Sequence, residues 1–195
     1  MSGAALHWVG EFLGLAHPAE DAAALAETVS SAAGMVLVPA MVGLGAPHWD
    51  SAARGLISNL ERGHTAAHLA RAALDAIAMQ VADVLEAMEA ASGIKVSALL
   101  ADGGATKNRT LMQTQADVLD RKVQRSEEAE LSARGTALLG GIALGWWRDM
   151  EAVSMLPAVG DWFSPKPDEQ QRESLREQWR AAIARTRMHP SLQGR

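Results

Sequence analysis

Val96-Ser97-Ala98-Leu99-Leu100-Ala101-Asp102-Gly103-Gly104-Ala105 is the stretch on which the reading of this chain turns. The run from Val96 to Ala101 is short and apolar, which predicts a buried strand. Lys107 to Leu119 follows with the composition of a helix. Between them stand two adjacent glycines, Gly103 and Gly104, where the absence of a Cβ lets a ligand lie against the backbone. The helix beyond offers unpaired N–H groups and the positive end of its dipole to an anion. These are the mechanics of a nucleotide or phosphate site. A plain tight turn has the same two-glycine signature, so the surrounding chain has to separate the two readings.

Upstream of that corner lies the strongest helical pattern. Leu69, Ala73, Ile77, Val81, Val84, Leu85 and Met88 recur at helical spacing between Ala66 and Ala91. Thr65 is placed as its N-cap, and Gly93 to end it in a left-handed turn. Asp83, Glu86 and Glu89 read as a solvated face of this helix. Downstream, Lys122 to Arg125 predicts a second strand and Leu131 to Trp147 a further helix. That helix carries Gly135, Gly140, Gly141 and Gly145. Each costs about 1 kcal/mol relative to alanine, so the face they form is expected to meet another backbone or a ligand at short range. The order helix–strand–helix–strand–helix implies a right-handed crossover and a parallel strand pair. Ligands of such sheets sit at the carboxyl ends of the strands, where Asp102-Gly103-Gly104 falls.

The N-terminal third reads as two helices, Gly3 to Leu15 and Pro18 to Val29, then a strand at Met35 to Val38 stopped by Pro39. A loop through Gly43-Leu44-Gly45-Ala46-Pro47-His48-Trp49-Asp50 leads to a partner strand within Gly55 to Leu60. The C-terminal end reads as a loop over 157–167 leading to a helix over 168–187, with Leu175, Trp179, Ala182 and Ile183 as its apolar stripe. The whole of 1–195 is taken as one partial domain.

Composition narrows the function classes. The 195 residues are 48% hydrophobic and 21% charged, with a net charge of -5. That is a globular chain with no general attraction to nucleic acid or anionic lipid. It has no cysteine, which removes disulfides, zinc ribbons and thiol catalysis. With no secretory leader pattern and no apolar run of membrane-spanning length, the expected location is the cytoplasm. His64 and His68 have i, i+4 spacing without a third ligand nearby, so no metal site is assigned to them. Gly43 and Gly45 are followed by no Gly-Lys-Ser/Thr and make no P-loop.

A succession of blocks then carries a resemblance. Val38-Pro39-Ala40, Gly43-Leu44-Gly45-Ala46-Pro47-His48-Trp49-Asp50, Ala53-Arg54-Gly55 and Leu60-Glu61-Arg62-Gly63 come first. Arg71-Ala72-Ala73-Leu74, Ile77-Ala78-Met79-Gln80 and Asp83-Val84-Leu85-Glu86-Ala87-Met88 follow. Ser92-Gly93-Ile94-Lys95, Asp102-Gly103-Gly104-Ala105-Thr106-Lys107-Asn108, Leu111-Met112-Gln113 and Gln115-Ala116-Asp117 complete the run. In that order they resemble the C-terminal domain of the FGGY carbohydrate kinases, the glycerol kinases most of all, over about Gly3 to Arg187.

The resemblance implies an α/β, helix-rich, actin-like ATPase domain of ribonuclease-H-like topology, here lacking its first antiparallel strands. It implies ATP or ADP with Mg2+ as cofactors, and phosphoryl transfer from Mg-ATP to a primary hydroxyl of glycerol or a related polyol or sugar. By the same carry-over, Gly103, Gly104, Asn108, Gly3, His7 and Asp102 are the nucleotide-site residues. Gly104 would act through its backbone, Asn108 through its side-chain amide, and Asp102 by fixing the turn or reaching the metal–nucleotide through water. His7 stands where the family commonly has glutamine, Thr114 where an aromatic is usual, and Arg134 where the pattern is apolar. No catalytic residue is assigned, because the family's general base and its acceptor-binding residues precede the region represented here. The acceptor is therefore expected only with a complementary N-terminal domain. The chain itself is expected to be inactive alone and to associate with itself or with a partner chain. The alternative is a non-catalytic nucleotide-binding or interaction module, a truncated or split-kinase remnant.

Overall fold

The computed structural model describes residues 2–127, 131–156, 160–166 and 168–188. Its centre is a 27-residue helix, α3 (Ala66–Ser92), about 40 Å long at 1.5 Å per residue. Thr65 and His68 close its first turn as a capping box, and Gly93 ends it at φ 71°. Ahead of it come α1 (Ser2–Phe12), α2 (Pro18–Ala26) and the strands β1 (Val36–Val38) and β2 (Leu56–Ser58). These strands pair antiparallel, with Leu37 opposite Ile57.

After α3 comes β3 (Ala98–Ala101), a single 3-10 turn (Gly104–Lys107), α4 (Arg109–Leu119) and β4 (Lys122–Ser126). β3 and β4 run parallel, Ala98 beside Lys122 and Ala101 beside Arg125, as the helix–strand alternation requires. α5 (Leu131–Ala143), α6 (Met150–Ser154), β5 (Gly160–Phe163) and α7 (Glu169–Thr186) complete the chain.

Several expectations are corrected. The 157–167 loop contains β5, which pairs antiparallel with β4 and makes a three-stranded mixed sheet of order β3-β4-β5. Prolines on either side disguise it; an edge strand tolerates them. Residues 157–159 and 167 of that loop lie outside the described residues. The helix expected from Lys107 starts at Arg109, because the Asn108 Oδ1 accepts the Leu111 N–H at 2.7 Å and sets the cap there. The helix expected to reach Trp147 stops at Ala143, with Gly145 in the left-handed region at φ 77°. α1 and α2 each end three residues earlier than expected, at Phe12 and Ala26.

Two apolar clusters share α3. On one side Leu69, Ala73, Leu74 and Ile77 pack with Leu6 and Val9 of α1, Ala22 and Ala26 of α2, Leu111 and Met112 of α4, and Val123 and Phe163 of the sheet. On the other, Ala76, Met79 and Ala82 meet Val38, Leu44 and Ala53, capped by Trp179, Ala182 and Ile183 of α7. Alanines on α3 let its neighbours approach closely. Among the described residues no helix is long and apolar enough to cross a membrane.

Two carboxylates expected on a solvated face are engaged by protein donors instead, Asp83 half-buried and Glu89 buried. Asp83 accepts hydrogen bonds from the Trp179 Nε1 at 2.7 Å and the Arg176 Nη1 at 3.1 Å, and its Oδ2 lies 3.3 Å from the His48 Nε2. It thereby ties α7 and the 39–55 loop to α3. Glu89 accepts from the Val96 N–H at 2.7 Å and is paired with Lys95 and Arg121. The Val96 backbone and the Lys95 ammonium hold its carboxyl down at about 2. Within the His48-Trp49-Asp50 motif, His48 and Asp50 do structure the loop, the Asp50 Oδ1 accepting from the Ala52 and Ala53 N–H groups. Trp49 does not pack: it is 79% exposed.

Candidate functional site

The corner after β3 is built by a small set of bonds. Gly103 has φ 92° and ψ 175°, a conformation that side chains rarely adopt, so this position requires glycine. Its carbonyl accepts both the Thr106 N–H at 3.1 Å and the Thr106 hydroxyl at 2.7 Å, which closes the 3-10 turn and buries Thr106. The turn is thus anchored by one threonine, and its outer surface is left to Asp102, Gly103 and Gly104, all exposed. A Cβ added at Gly104 would meet no protein atom within 4 Å. Internal packing therefore does not explain that glycine.

Asn108 turns the chain from the corner into α4. Its Oδ1 is committed to the Leu111 N–H, and the residue is half-buried. α1 packs across the 3-10 turn, and Ala105 joins the cluster that holds Ala5, Leu6 and Val9. This brings the helix that carries Gly3 and His7 to the same part of the molecule as the corner. Both residues are exposed; the His7 Nε2 lies 3.3 Å from the Glu11 carboxylate. A Cβ at Gly3 would also meet nothing.

Sequence reasoning missed the residues that brace the corner from behind. Ala101, the last residue of β3, lies beside Arg125. The Asp161 Oδ2 accepts from the Arg125 Nη2 at 2.8 Å and from the Arg109 Nη1 at 2.7 Å, while the Arg109 guanidinium sits 5.2 Å over the Phe163 ring. This cluster clamps β5 to the start of α4, one residue after Asn108. It was hidden because Asp161 sits in a strand that reads as loop. Thr114 faces away from the corner: it is buried, with its hydroxyl 3.3 Å from the Arg71 Nη2. His64 and His68 are likewise committed. The His64 Nδ1 accepts the Glu61 N–H at 2.7 Å, and the His68 Nδ1 accepts the Thr65 N–H at 3.1 Å.

The corner is an open ledge rather than an enclosed pocket. A cavity of about 450 Å³ lies elsewhere, between α3, α4 and α7, around the Arg71–Asp75 pair. Burial there pushes the Asp75 carboxyl up, against the pull of Arg71. A second, of about 600 Å³, opens along the apolar outer face of α3. Gly103 and Gly104 line neither. One ledge of exposed backbone, a helix start and a nearby helix can support one face of a flat or extended anionic ligand; enclosing it takes a second wall.

Three comparisons with known proteins bear on the site. The model of the FGGY family of carbohydrate kinases, C-terminal domain, matches residues 1–144. The chain is 46% identical over 187 residues to a glycerol kinase of Carboxydothermus hydrogenoformans, covering 96% of this chain and 37% of that protein. It is 43% identical over 187 residues to a glycerol kinase of Nitratidesulfovibrio vulgaris, covering 96% of this chain and 38% of that protein. The crystal structure of Plasmodium falciparum glycerol kinase with ADP superposes with a TM-score of 0.87 at 29% identity, over 97% of this chain and 38% of that one. The chain thus spans well under half the length of the relatives it matches.

Proposed function

The chain belongs to the FGGY family of carbohydrate kinases, as its C-terminal domain, and on that premise we propose that it is the nucleotide-binding part of an ATP-dependent glycerol (or related polyol or sugar) kinase. The observation that carries this reading is the Cβ-free ledge at Gly103-Gly104, exposed at the carboxyl end of a parallel strand with no packing reason for Gly104 to be glycine. The ADP in the Plasmodium falciparum structure supports the choice of nucleotide.

In this reading the adenosine end of ATP lies on the ledge. Gly103 and Gly104 supply backbone against it, and the Asn108 amide donates a hydrogen bond. Gly3 and His7 approach from α1, and Asp102 stands at the edge. Mg2+ would be held mostly by phosphate oxygens and water, as is usual for this ion, and Asp102 is the corner carboxylate that would join through water. Among the described residues no group of three or more His, Asp or Glu side chains is arranged to hold a metal. The chemistry of the complete enzyme is transfer of the γ-phosphoryl to a primary hydroxyl, in which alignment and charge stabilisation dominate. This chain contributes the nucleotide's position. The acceptor's general base comes from the complementary N-terminal domain, so the chain alone does not phosphorylate glycerol.

Calorimetric titration with ADP tests this directly, using Gly104→Val as the control. A Cβ at this position meets no protein atom within 4 Å, so the fold is expected to be retained while the ledge is filled. ADP binding is expected in the parent chain and a Kd raised about tenfold or more in the variant. Equal affinity in both, or no heat in either, refutes the site.

A further inference from the structure

The cavity of about 450 Å³ between α3, α4 and α7 has the size of a small-molecule site and contains none of the ledge residues. Its walls are mixed. Met79 and Trp179 are apolar, while Arg71 and Asp75 of α3, Thr114 of α4 and Gln178 of α7 bring polar groups to the same space. The Arg71 Nε donates to the Asp75 Oδ1 at 2.9 Å. Its other two nitrogens reach the Ser30 carbonyl and the Thr114 hydroxyl only at 3.3 Å, beyond the usual range, so a ligand acceptor can compete for them. The Gln178 Nε2 donates to the Ser174 Oγ at 3.3 Å, and its buried Oε1 has no partner. A buried acceptor without a donor is uncommon and calls for an explanation. Turning the amide over would leave an unpaired N–H2 in the same place. Asp75 is short of donors too, since burial raises its carboxyl in spite of Arg71.

The charges around this space cancel: Arg71, Lys166 and Arg172 stand against Asp75, Asp117 and Asp168. Several are also committed to the protein. Arg172 donates to Asp120, the Asp117 Oδ1 accepts from Gln113 and from the Lys166 N–H, and the Asp168 Oδ1 accepts the Gln171 N–H. The cavity therefore exerts no net pull on an anion or a cation. It asks for donors at Gln178 and Asp75 and for acceptors at Arg71, and a hydroxyl is both. We infer that this cavity is a second ligand site, for a small uncharged polyhydroxyl compound held by Arg71, Asp75, Thr114 and Gln178. Thr114 stands where the resembling family usually has an aromatic, and the smaller threonine leaves its hydroxyl, not a ring, beside Arg71. The inference does not rest on the nucleotide reading, because Gly3, His7, Asp102, Gly103, Gly104 and Asn108 all lie outside this cavity.

The test titrates the full chain, without nucleotide, with sorbitol as the neutral probe and with gluconate and glucosamine as its anionic and cationic counterparts. Backbone amide resonances are followed, because concentrated polyols raise the melting temperature of any protein by exclusion from its surface. Sorbitol is expected to produce saturating shifts at residues 31–35, 114 and 178, with a Kd of about 1 mM or tighter. Gln178→Met removes the amide at little change in volume. Its Kd should rise about tenfold or more, while the Tm of the ligand-free chain stays level or rises, since an unsatisfied buried group is gone. Thr114→Phe should abolish saturation by filling the space beside Arg71. Shifts that fail to saturate in the parent chain overturn the inference. So does a Gln178→Met chain that binds sorbitol as tightly as the parent, which would place the ligand elsewhere. Tighter binding of gluconate or glucosamine than of sorbitol also overturns it, because the ligand class is argued from the cancelling charges. No outcome depends on ADP, so failure here leaves the ledge standing, and failure of the ADP titration leaves this cavity standing.

Discussion

Gly10 and Gly104 are alike only in name: their surroundings are opposite. At Gly10 a Cβ would run into the backbone of Pro18, because α1 and α2 cross at that residue. At Gly104 a Cβ would meet nothing. The first glycine is spent on the protein's own packing. The second has no neighbour inside the chain that requires it. The same contrast extends to the carboxylates. Asp83 and Glu89 are wrapped by protein donors, whereas Asp102 stands exposed at the corner.

The contrast breaks first, and most visibly, at Asp83. Asp83→Ala would leave the Arg176 guanidinium, 4% exposed, without its inner partner, and the Trp179 N–H without an acceptor. Removing one member of a buried pair costs about 3–5 kcal/mol. The outer pairing of Arg176 with Glu86 places the expected loss near the lower limit, about 3 kcal/mol. Urea denaturation checks it; a loss no larger than that of a surface substitution would mean that α7 is not held to α3 by this node.

Next in size is Gly10→Ala. The added methyl has only backbone to push against, so α1 and α2 must separate. Overpacking of this kind costs about 1–3 kcal/mol, or roughly 2–12 °C of Tm for a chain of this length. Thermal melting with an unchanged Tm would show that the helix pair yields freely.

These variants also show why the fold was only partly legible. Periodicity revealed α3 because 27 residues of amphipathic pattern outweigh any local ambiguity, and the Asp102-Gly103-Gly104 corner because its glycines stand between two strong patterns. It could not reveal that Asp83 faces inward. Its partners, Arg176 and Trp179, lie more than ninety residues away and reach it only after α7 folds back on α3. β5 escaped for a related reason: four residues among prolines become a strand only because β4 offers an edge. At the candidate site, the glycines and Asn108 were readable as motif, whereas the Arg109–Asp161–Arg125 brace exists only through tertiary pairing.

Acid sharpens the comparison between enclosed and exposed carboxylates. Glu89 has its carboxyl held down at about 2 in the folded chain, below the ordinary 4.5. A depressed folded value contributes stability that is fully present above about pH 4.5 and is lost as pH falls toward 2. Asp75 acts with the opposite sign, since burial raises its carboxyl and protonation relieves that cost. Glu89→Gln should therefore flatten the fall of stability between pH 4.5 and 2 without altering the slope near neutrality. Urea midpoints across that range decide it; parallel curves for parent and variant would remove Glu89 from the acid response.

The smallest expected effect on stability is the most diagnostic. Gly104→Ala adds a methyl into open space at a residue whose φ lies outside the left-handed region, so neither clash nor backbone strain follows. Stability should stay within about 0.5 kcal/mol of the parent, as for a surface substitution. Alanine restricts the unfolded chain more than glycine does, which shifts the change toward the stabilising side by about a few tenths of a kcal/mol. Gly103→Ala, one residue earlier, forces a side chain into φ 92° and should cost clearly more. A pair of melting curves in which position 104 is silent and position 103 is not would show that the turn needs the first glycine for its own shape and holds the second for something outside the chain. Equal losses at both would return the corner to the class of ordinary turns.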